Sequence, residues 1–382
     1  MRAYRMLDWA APPGAVEIDA PCPGPGEILV RVAGCGLCHS DLTMRRIPAA
    51  AGTRMGWAMP FTLGHETAGR VAAVGAGITF SEGDAVALVS PTSCGTCWHC
   101  VRGQDSACPH GLAGRGYGRD GGLADYVLVR DRRSLLPLRT VDPATAGPLT
   151  DAGATAYHAV RRALPRITSG GVVVVIGVGG LGSFAVQFLS LLTSAFVVAV
   201  DVLPERLDHA LTIGAHHAVS SAASSGASGG ASGGASGGAS GGASGRASGG
   251  ASGRASGGAD ETLGALRALT GRRGADAVLD FVGADATIAT GIAAVRPGGA
   301  YGLIGAAGGS LGKPWFGTLP KDGEVFTFQG SSIADAQEVI ALADAGLLRN
   351  PVETFGFDEI DEAYARLAAG TLRGRAVVRL DT

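Results

Sequence analysis

Apolar and polar positions follow two different regimes along the chain. After residue 150 short apolar runs alternate with helically spaced segments. Val172 to Ile176 is unbroken Val and Ile, the composition of a strand buried on both faces of a parallel sheet. Leu181 to Leu192 has apolar residues at helical spacing, and Phe196 to Val200 reads as a second strand. Pro204 stands where a helix would start, and Ala277 to Phe281 and Tyr301 to Ile304 read as later strands. Strand and helix in alternation predict an α/β, doubly wound parallel sheet. Before residue 150 the pattern differs: Glu27 to Val32 and Ala85 to Val89 are short β runs between Gly- and Pro-rich turns, so this half is expected to be mostly β.

Between residues 222 and 258 the apolar signal vanishes. Ala227 to Gly258 is eight tetrads of Ala-Ser-Gly-Gly or Ala-Ser-Gly-Arg. Nothing there is larger than alanine to bury, and there is no proline or three-residue glycine period, so disorder is expected. As a free coil its ends would lie roughly 30 Å apart, and closing so long a loop costs on the order of 2 kcal/mol more than a short one.

With 382 residues the chain exceeds one ordinary core, which predicts two domains. A 46% hydrophobic and 17% charged composition is globular, and a net charge of −2 leaves no electrostatic footprint for nucleic acid or an anionic membrane. No run approaches the roughly 18 apolar residues of a membrane span. The start reads as neither a secretory nor a transit segment, and unpaired cysteines fit a reducing compartment, so a cytoplasmic location is expected.

Two constellations carry chemistry by spacing. Cys94, Cys97, Cys100 and Cys108 form a C-x2-C-x2-C-x7-C run among only seven cysteines. Thiols two residues apart crowd one loop and suit a single metal centre, zinc or iron–sulfur. The absence of a ferredoxin-type run favours zinc, in a closed structural site with no position for substrate. Directly after the first buried strand, Gly177-Val178-Gly179-Gly180-Leu181-Gly182 opens a helix as G-x-G-x-x-G. Gly177 permits the turn, Gly179 the approach of a pyrophosphate and Gly182 close helix packing, with helix N–H groups at Gly180 and Leu181 facing the anion. Asp201 ends the next strand, placed to accept ribose hydroxyls, which predicts NAD rather than NADP. Arg206 nearby could meet adenosine or a phosphate.

The first half holds Cys35-Gly36-Leu37-Cys38-His39-Ser40-Asp41 and Gly64-His65-Glu66-Thr67-Ala68-Gly69. Gly64-His65-Glu66, followed by Gly69, Gly75 and Ile78, resembles the signature of zinc-dependent medium-chain alcohol dehydrogenases, in particular the bacterial secondary-alcohol dehydrogenase branch. The four-cysteine lobe resembles that family's structural-zinc loop. The resemblance covers the chain outside residues 222 to 258. It implies a GroES-like catalytic domain over 1–152 and 331–382, and a Rossmann coenzyme domain over 153–330. It further implies two zinc ions per chain, NAD, a small-molecule alcohol or ketone substrate, and a homodimer or homotetramer.

By the same resemblance Cys38 and His65 are catalytic-zinc ligands, and Glu66 is the acid that approaches the metal during exchange. Where many members have a third, cysteine ligand this chain has Pro148-Leu149-Thr150-Asp151, which makes Asp151 the candidate. Thiolate, imidazole and carboxylate sum to −2 and neutralise the dication. Ser40 takes the alcohol proton, Asp41 fixes the tautomer of His65, and His39 and Arg375 contact the pyrophosphate. Three and four residues after Ser40 stand Thr43 and Met44, so no histidine extends the relay. Trp57 and Tyr117 are expected in an apolar substrate pocket, which favours hydrophobic alcohols over polyols, and Gln329 and Gly330 close it from the coenzyme side. Alternatives are a polyol or amino-alcohol dehydrogenase and, in another class, a non-catalytic dinucleotide-binding redox sensor. His99, His110, His158, His209, His216 and His217 read as surface histidines, and Cys22 and Cys35 as small buried residues.

Overall fold

The computed structural model describes residues 1–9, 11–221 and 256–380. A six-stranded sheet forms the centre of one half: Val172–Ile176, Phe196–Asp201, His217–Ser220, Ala275–Asp280, Val295–Leu303 and Glu324–Thr327, all paired in parallel. Numbered along the chain, the strand order is 3-2-1-4-5-6, the doubly wound dinucleotide-binding arrangement whose order reverses next to the first strand. The apolar runs are buried on both faces. One face packs on helices Ala152–Ala163 and Gly182–Leu192, the other on Ser256–Leu269 and Asp285–Ala294. Pro204 opens helix Pro204–Thr212, where its fixed φ and missing N–H cost nothing.

The other half is mostly β. Its seven-stranded sheet runs Leu135–Pro137, Ala85–Leu88, Glu66–Val74, Ile28–Gly36, Arg375–Arg379, Val352–Phe355, with Tyr126–Val129 also paired to Ile28–Gly36. Strand Arg375–Arg379 thus crosses back and lies antiparallel to Ile28–Gly36. Burial of Tyr4, Met6, Ile28, Val30, Phe61, Leu63, Leu88 and Tyr364 builds a core of its own. A second packed seam links the halves: Ala68, Ala87, Ala146 and Leu149 join the cluster that contains Val173, Val175 and Phe188. Helix Ala152–Ala163 runs through that seam, so whatever precedes its first turn is fixed against both sheets. Among the described residues no helix is long and apolar enough to cross a membrane.

Several expectations need correction. Helix Ser256–Leu269 begins inside the last Ala-Ser-Gly-Gly tetrad, so Ser256 to Gly258 are helical; residues 222–255 of the expected disordered tract lie outside the described residues. Propensity alone hid this start, because Ser-Gly-Gly is a poor helix sequence and the packing of Thr262 and Leu266 holds the turn that follows. Cys22 is exposed. His158 is not a free surface histidine: its Nδ1 lies 2.7 Å from Oδ2 of the buried Asp335, beside Phe328. The ring of His216 accepts the Val197 N–H at 3.0 Å.

Candidate active site

The two family-type motifs sit at strand ends, one where a strand stops and the other where a strand starts. Strand Ile28–Gly36 stops two residues before Cys38, which precedes the short helix His39–Met44; His65 immediately precedes strand Glu66–Val74. Residues Gly36 and Glu66 are register partners, so the two motifs meet at one end of the sheet. Asp151 stands at the N-cap position of helix Ala152–Ala163 in the shared seam, and its carboxylate makes no capping bond to the helix, so it is left to face the site. These elements bring donor atoms of Cys38, His65, Glu66 and Asp151 all within 4.8 Å of one another.

His65 is buried and held from two sides. Its Nδ1 lies 3.1 Å from Oδ1 of Asp41, and its Nε2 lies 3.6 Å from Oδ2 of Asp151 and 3.4 Å from Oγ of Ser40. Asp41 is fixed in turn by the Cys38 backbone N–H, which donates to Oδ2 at 2.9 Å. The carboxylate of Asp41 thus faces Nδ1 and Nε2 faces Asp151 and Ser40, the placement of the usual outer partner of a metal-binding imidazole. Burial works against a charged His65, but the charge of Asp41 and hydrogen bonds to Asp151, Asp41 and Cys38 outweigh it and raise its proton affinity well above that of an ordinary histidine. Burial likewise opposes ionisation of Asp151, yet His65 and then Arg375 hold its carboxyl below the usual carboxylate range.

Donors around a zinc ion at about 2.0–2.3 Å stand roughly 3.3–3.8 Å apart, and the 3.6 Å between His65 and Asp151 fits that spacing. Cys38, His65 and Asp151 offer one soft and two harder donors with a combined charge of −2, and three protein ligands leave the open fourth position of a catalytic zinc site. Glu66 is differently engaged. It is wholly buried, and its carboxylate accepts hydrogen bonds from Nε of Arg375 at 3.0 Å and from Nη2. Burial raises the Glu66 carboxyl above its ordinary value against the pull of Arg375.

Four sulfurs gather in the second constellation. Sγ of Cys97 lies 3.5 Å from that of Cys100 and 3.9 Å from that of Cys108, and Cys94 and Cys100 are 3.9 Å apart. A tetrahedron with metal–sulfur bonds of about 2.3 Å has edges of about 3.8 Å. The Cys97 N–H donates to Sγ of Cys94 at 3.3 Å, and the Cys94 N–H to Sγ of Cys108 at 3.4 Å. Backbone hydrogen bonds from Thr96 and Cys97 pull the Cys94 thiol down to about 5.

At the glycine loop, Gly177 has φ +81°, and a Cβ on Gly182 would stand 1.9 Å from the Gly177 carbonyl oxygen, so both turn and helix packing demand glycine. Arg375 and Arg206 overhang this loop. A Cβ on Gly180 would fall 2.9 Å from Nη1 of Arg375, and one on Gly179 3.7 Å from Nη1 of Arg206. His39 stands close enough to both arginines to feel their charge. Burial first, then the charges of Arg375 and Arg206, lower its pKa. Both guanidinium groups also face acids, Arg375 gripping Glu66 and Arg206 lying 3.9 Å from Oδ2 of Asp201, so it is the N–H groups of the helix N-terminus with these two arginines beside them that suit a pyrophosphate. Asp201 also braces the backbone around the loop. Its Oδ2 accepts the Val178 N–H at 2.9 Å, while Oδ1 accepts those of Val202 at 2.8 Å and Leu203 at 3.1 Å.

Arg375 thus faces both centres, within 3.9 Å of Asp151 and above the glycine loop. Sequence reading assigned it to pyrophosphate alone; its partner Glu66 is 309 residues away, and no local pattern announces that pairing. Tyr364 was also missed. It is buried with Arg45 4.6 Å over its ring, and burial, then the Asp41 charge, raises its phenol well above the ordinary value. Of the two pocket candidates, Tyr117 sits edge-on to His65 at 6.4 Å, its hydroxyl accepting the Thr92 N–H. Trp57 is instead packed in the core against Phe61 and Gly118, its Nε1 donating to the Leu112 carbonyl. Gly330 lies near Pro91.

The sequence matches the profile of the alcohol dehydrogenase GroES-like domain over residues 24–140 and that of a zinc-binding dehydrogenase over residues 256–378. The NAD-dependent alcohol dehydrogenase of Sulfolobus acidocaldarius is 30% identical, covering 100% of both chains. D-arabinose 1-dehydrogenase (NADP(+)) of Saccharolobus solfataricus is 27% identical, covering 99% of this chain and 97% of that one. The crystal structure of the alcohol dehydrogenase of the hyperthermophilic archaeon Aeropyrum pernix superposes with a TM-score of 0.82 at 29% identity, covering 99% of this chain and 100% of that one. Fold, motif positions and full-length similarity agree: the chain belongs to the zinc-dependent medium-chain alcohol dehydrogenase family.

Proposed function

We propose that this protein is a cytoplasmic NAD-dependent dehydrogenase that interconverts an alcohol, secondary or bulky and hydrophobic, with its ketone or aldehyde, and that it holds two zinc ions per chain. The observation that carries the reading is the convergence of Cys38, His65 and Asp151 beside a glycine loop overhung by Arg206 and Arg375. Zinc and NAD, when bound, supply Lewis acidity toward a hydroxyl and a hydride acceptor. The chain supplies the rest. Asp41 fixes His65, and Cys38 and Asp151 supply the two negative charges that match a dication. Ser40, whose Oγ lies 3.4 Å from Nε2 of His65, stands where it can take the proton of a hydroxyl presented to the ligand group. Asp201, Gly177, Gly179 and Gly182 orient the coenzyme, and Arg375 and His39 meet its phosphates. Tyr117, against His65, is the apolar wall nearest the substrate.

A sugar or polyol substrate is the second reading, favoured by the similarity to D-arabinose 1-dehydrogenase. Both readings meet one experiment: zinc content of the purified protein beside NADH absorbance with primary, secondary and polyhydric alcohols. Two zinc ions and turnover of apolar secondary alcohols are expected. Preferential turnover of aldoses or polyols selects the second reading, and reversible NAD binding without turnover of any alcohol selects a redox sensor.

A further inference from the structure

A second concave site lies on the catalytic half, away from the coenzyme loop. It is a cleft of about 310 Å³ between the end of helix Ala49–Arg54 and the segment that follows the four-cysteine lobe, lined by Arg54, Met55, Pro109, His110, Leu112 and Arg119 among others. No acidic side chain lines it. Arg54 and Arg119 form no ion pair or hydrogen bond through their side chains among the described residues, and neither does His110. The acid next in sequence, Asp120, is already taken, since its Oδ1 accepts from Arg5 and from the Thr62 N–H. Two guanidinium groups without a protein acceptor and an imidazole rim an apolar floor, donors that an anion would satisfy.

The geometry points to a binding site for a small organic anion, a carboxylate or phosphate monoester on a short apolar body. Arg54 and Arg119 hold the charged end from both rims, as planar guanidinium groups match either anion bidentately. Met55, Pro109 and Leu112 cover the body, and the volume sits at the small end of ligand clefts. The floor is rigid: Nε1 of Trp57 donates to the Leu112 carbonyl at 2.8 Å, tying the two rims together. The same segment that supplies Arg119 carries Tyr117 against His65, so the cleft shares a wall with the metal-ligand group. This inference does not depend on the proposed alcohol chemistry.

The test is calorimetric titration at constant ionic strength with phenyl phosphate, benzoate, inorganic phosphate and neutral benzamide. Phenyl phosphate or benzoate should bind, and the tighter of the two identifies the anion. Arg54→Gln/Arg119→Gln should weaken that binding at least about tenfold, while Arg119→Lys should weaken it less. Both arginines are exposed, so circular dichroism of the variants should match the wild type. These variants leave Gly177 to Gly182 untouched, so phosphate held at the coenzyme loop survives in them and is subtracted. Equal affinity in wild type and double variant overturns the site, as does benzamide binding as tightly as benzoate, or no anion binding. Inorganic phosphate binding as tightly as phenyl phosphate overturns the apolar half of the assignment.

Discussion

Arg375 grips Glu66 through two hydrogen bonds in the protein interior, and both side chains are almost wholly buried. Removing one member of such a pair leaves a buried charge without compensation, which costs about 3–5 kcal/mol. Arg375→Met is therefore expected to destabilise by that amount in urea unfolding. Arg375→Met/Glu66→Gln should cost less than the two single changes together, because the uncompensated charge is gone.

Asp151 is where this sequence leaves the commoner three-ligand pattern. Asp151→Asn removes one negative charge from a site whose ligands balance a dication, so zinc occupancy should fall. Asp151→Cys restores the charge with a softer donor and should retain zinc and part of the activity. Ser40→Ala should keep zinc and coenzyme affinity while turnover drops about 10²–10⁴-fold. Metal analysis beside the rate checks all three; full zinc and near-normal turnover in Asp151→Asn would remove it from the ligand set.

Cys97 belongs to the four-sulfur cluster and not to the Cys38, His65 and Asp151 group. Cys97→Ser should lower the thermal midpoint and the zinc content by one ion, with KM for the alcohol unchanged in protein that remains folded. Differential scanning calorimetry and kinetics separate the two effects.

Asp335 predicts the acid limb of the stability curve. Burial raises its carboxyl, but His158, Ser332 and the Ser332 backbone N–H prevail and hold it below the ordinary value. A depressed folded-state pKa stabilises the protein above the unfolded value of about 3.9 and loses that stabilisation as pH falls through the folded pKa. Stability should therefore decline below about pH 4. Asp335→Asn should flatten that decline while lowering stability at pH 7, as read from unfolding midpoints between pH 3 and 7.

Asp201 should govern coenzyme choice, and its three backbone contacts dictate which variant can show it. Asp201→Ser/Val202→Arg should move preference toward NADP, since the repelling carboxylate is gone and a cation is added. Asp201→Gly leaves the Val178, Val202 and Leu203 N–H groups without their acceptor and should unfold earlier. Ratios of kcat/KM for NAD and NADP test the first claim. A wild type that already uses both equally would refute the assigned role.

Local signals read well and long-range ones did not. Val172–Ile176 was legible to the residue because a strand buried on both faces must be apolar throughout. The gathering of the four cysteine sulfurs was legible because they lie within fifteen residues. His65 and Cys38 are 27 residues apart and were found only through the family signature; the sheet register that unites them has no counterpart in composition. Trp57 was misplaced because an aromatic near a ligand motif looks the same in sequence whether it faces a pocket or the core. Ser256 to Gly258 were misplaced because tertiary packing overrides propensity at a helix start.

The return of strand Arg375–Arg379 to Ile28–Gly36 also sets an order of assembly. The coenzyme sheet grows by neighbouring strand–helix–strand units, whose contacts are close in sequence and close early. The reaction centre cannot. Its Glu66–Arg375 contact spans 309 residues, and a loop of that size pays its closure entropy before any contact rewards it. Recovery of the parallel sheet and its helices, read by far-ultraviolet circular dichroism, should thus run ahead of recovery of both dinucleotide binding and turnover when the denatured chain is diluted into buffer, because Arg375 rides on the strand that docks last.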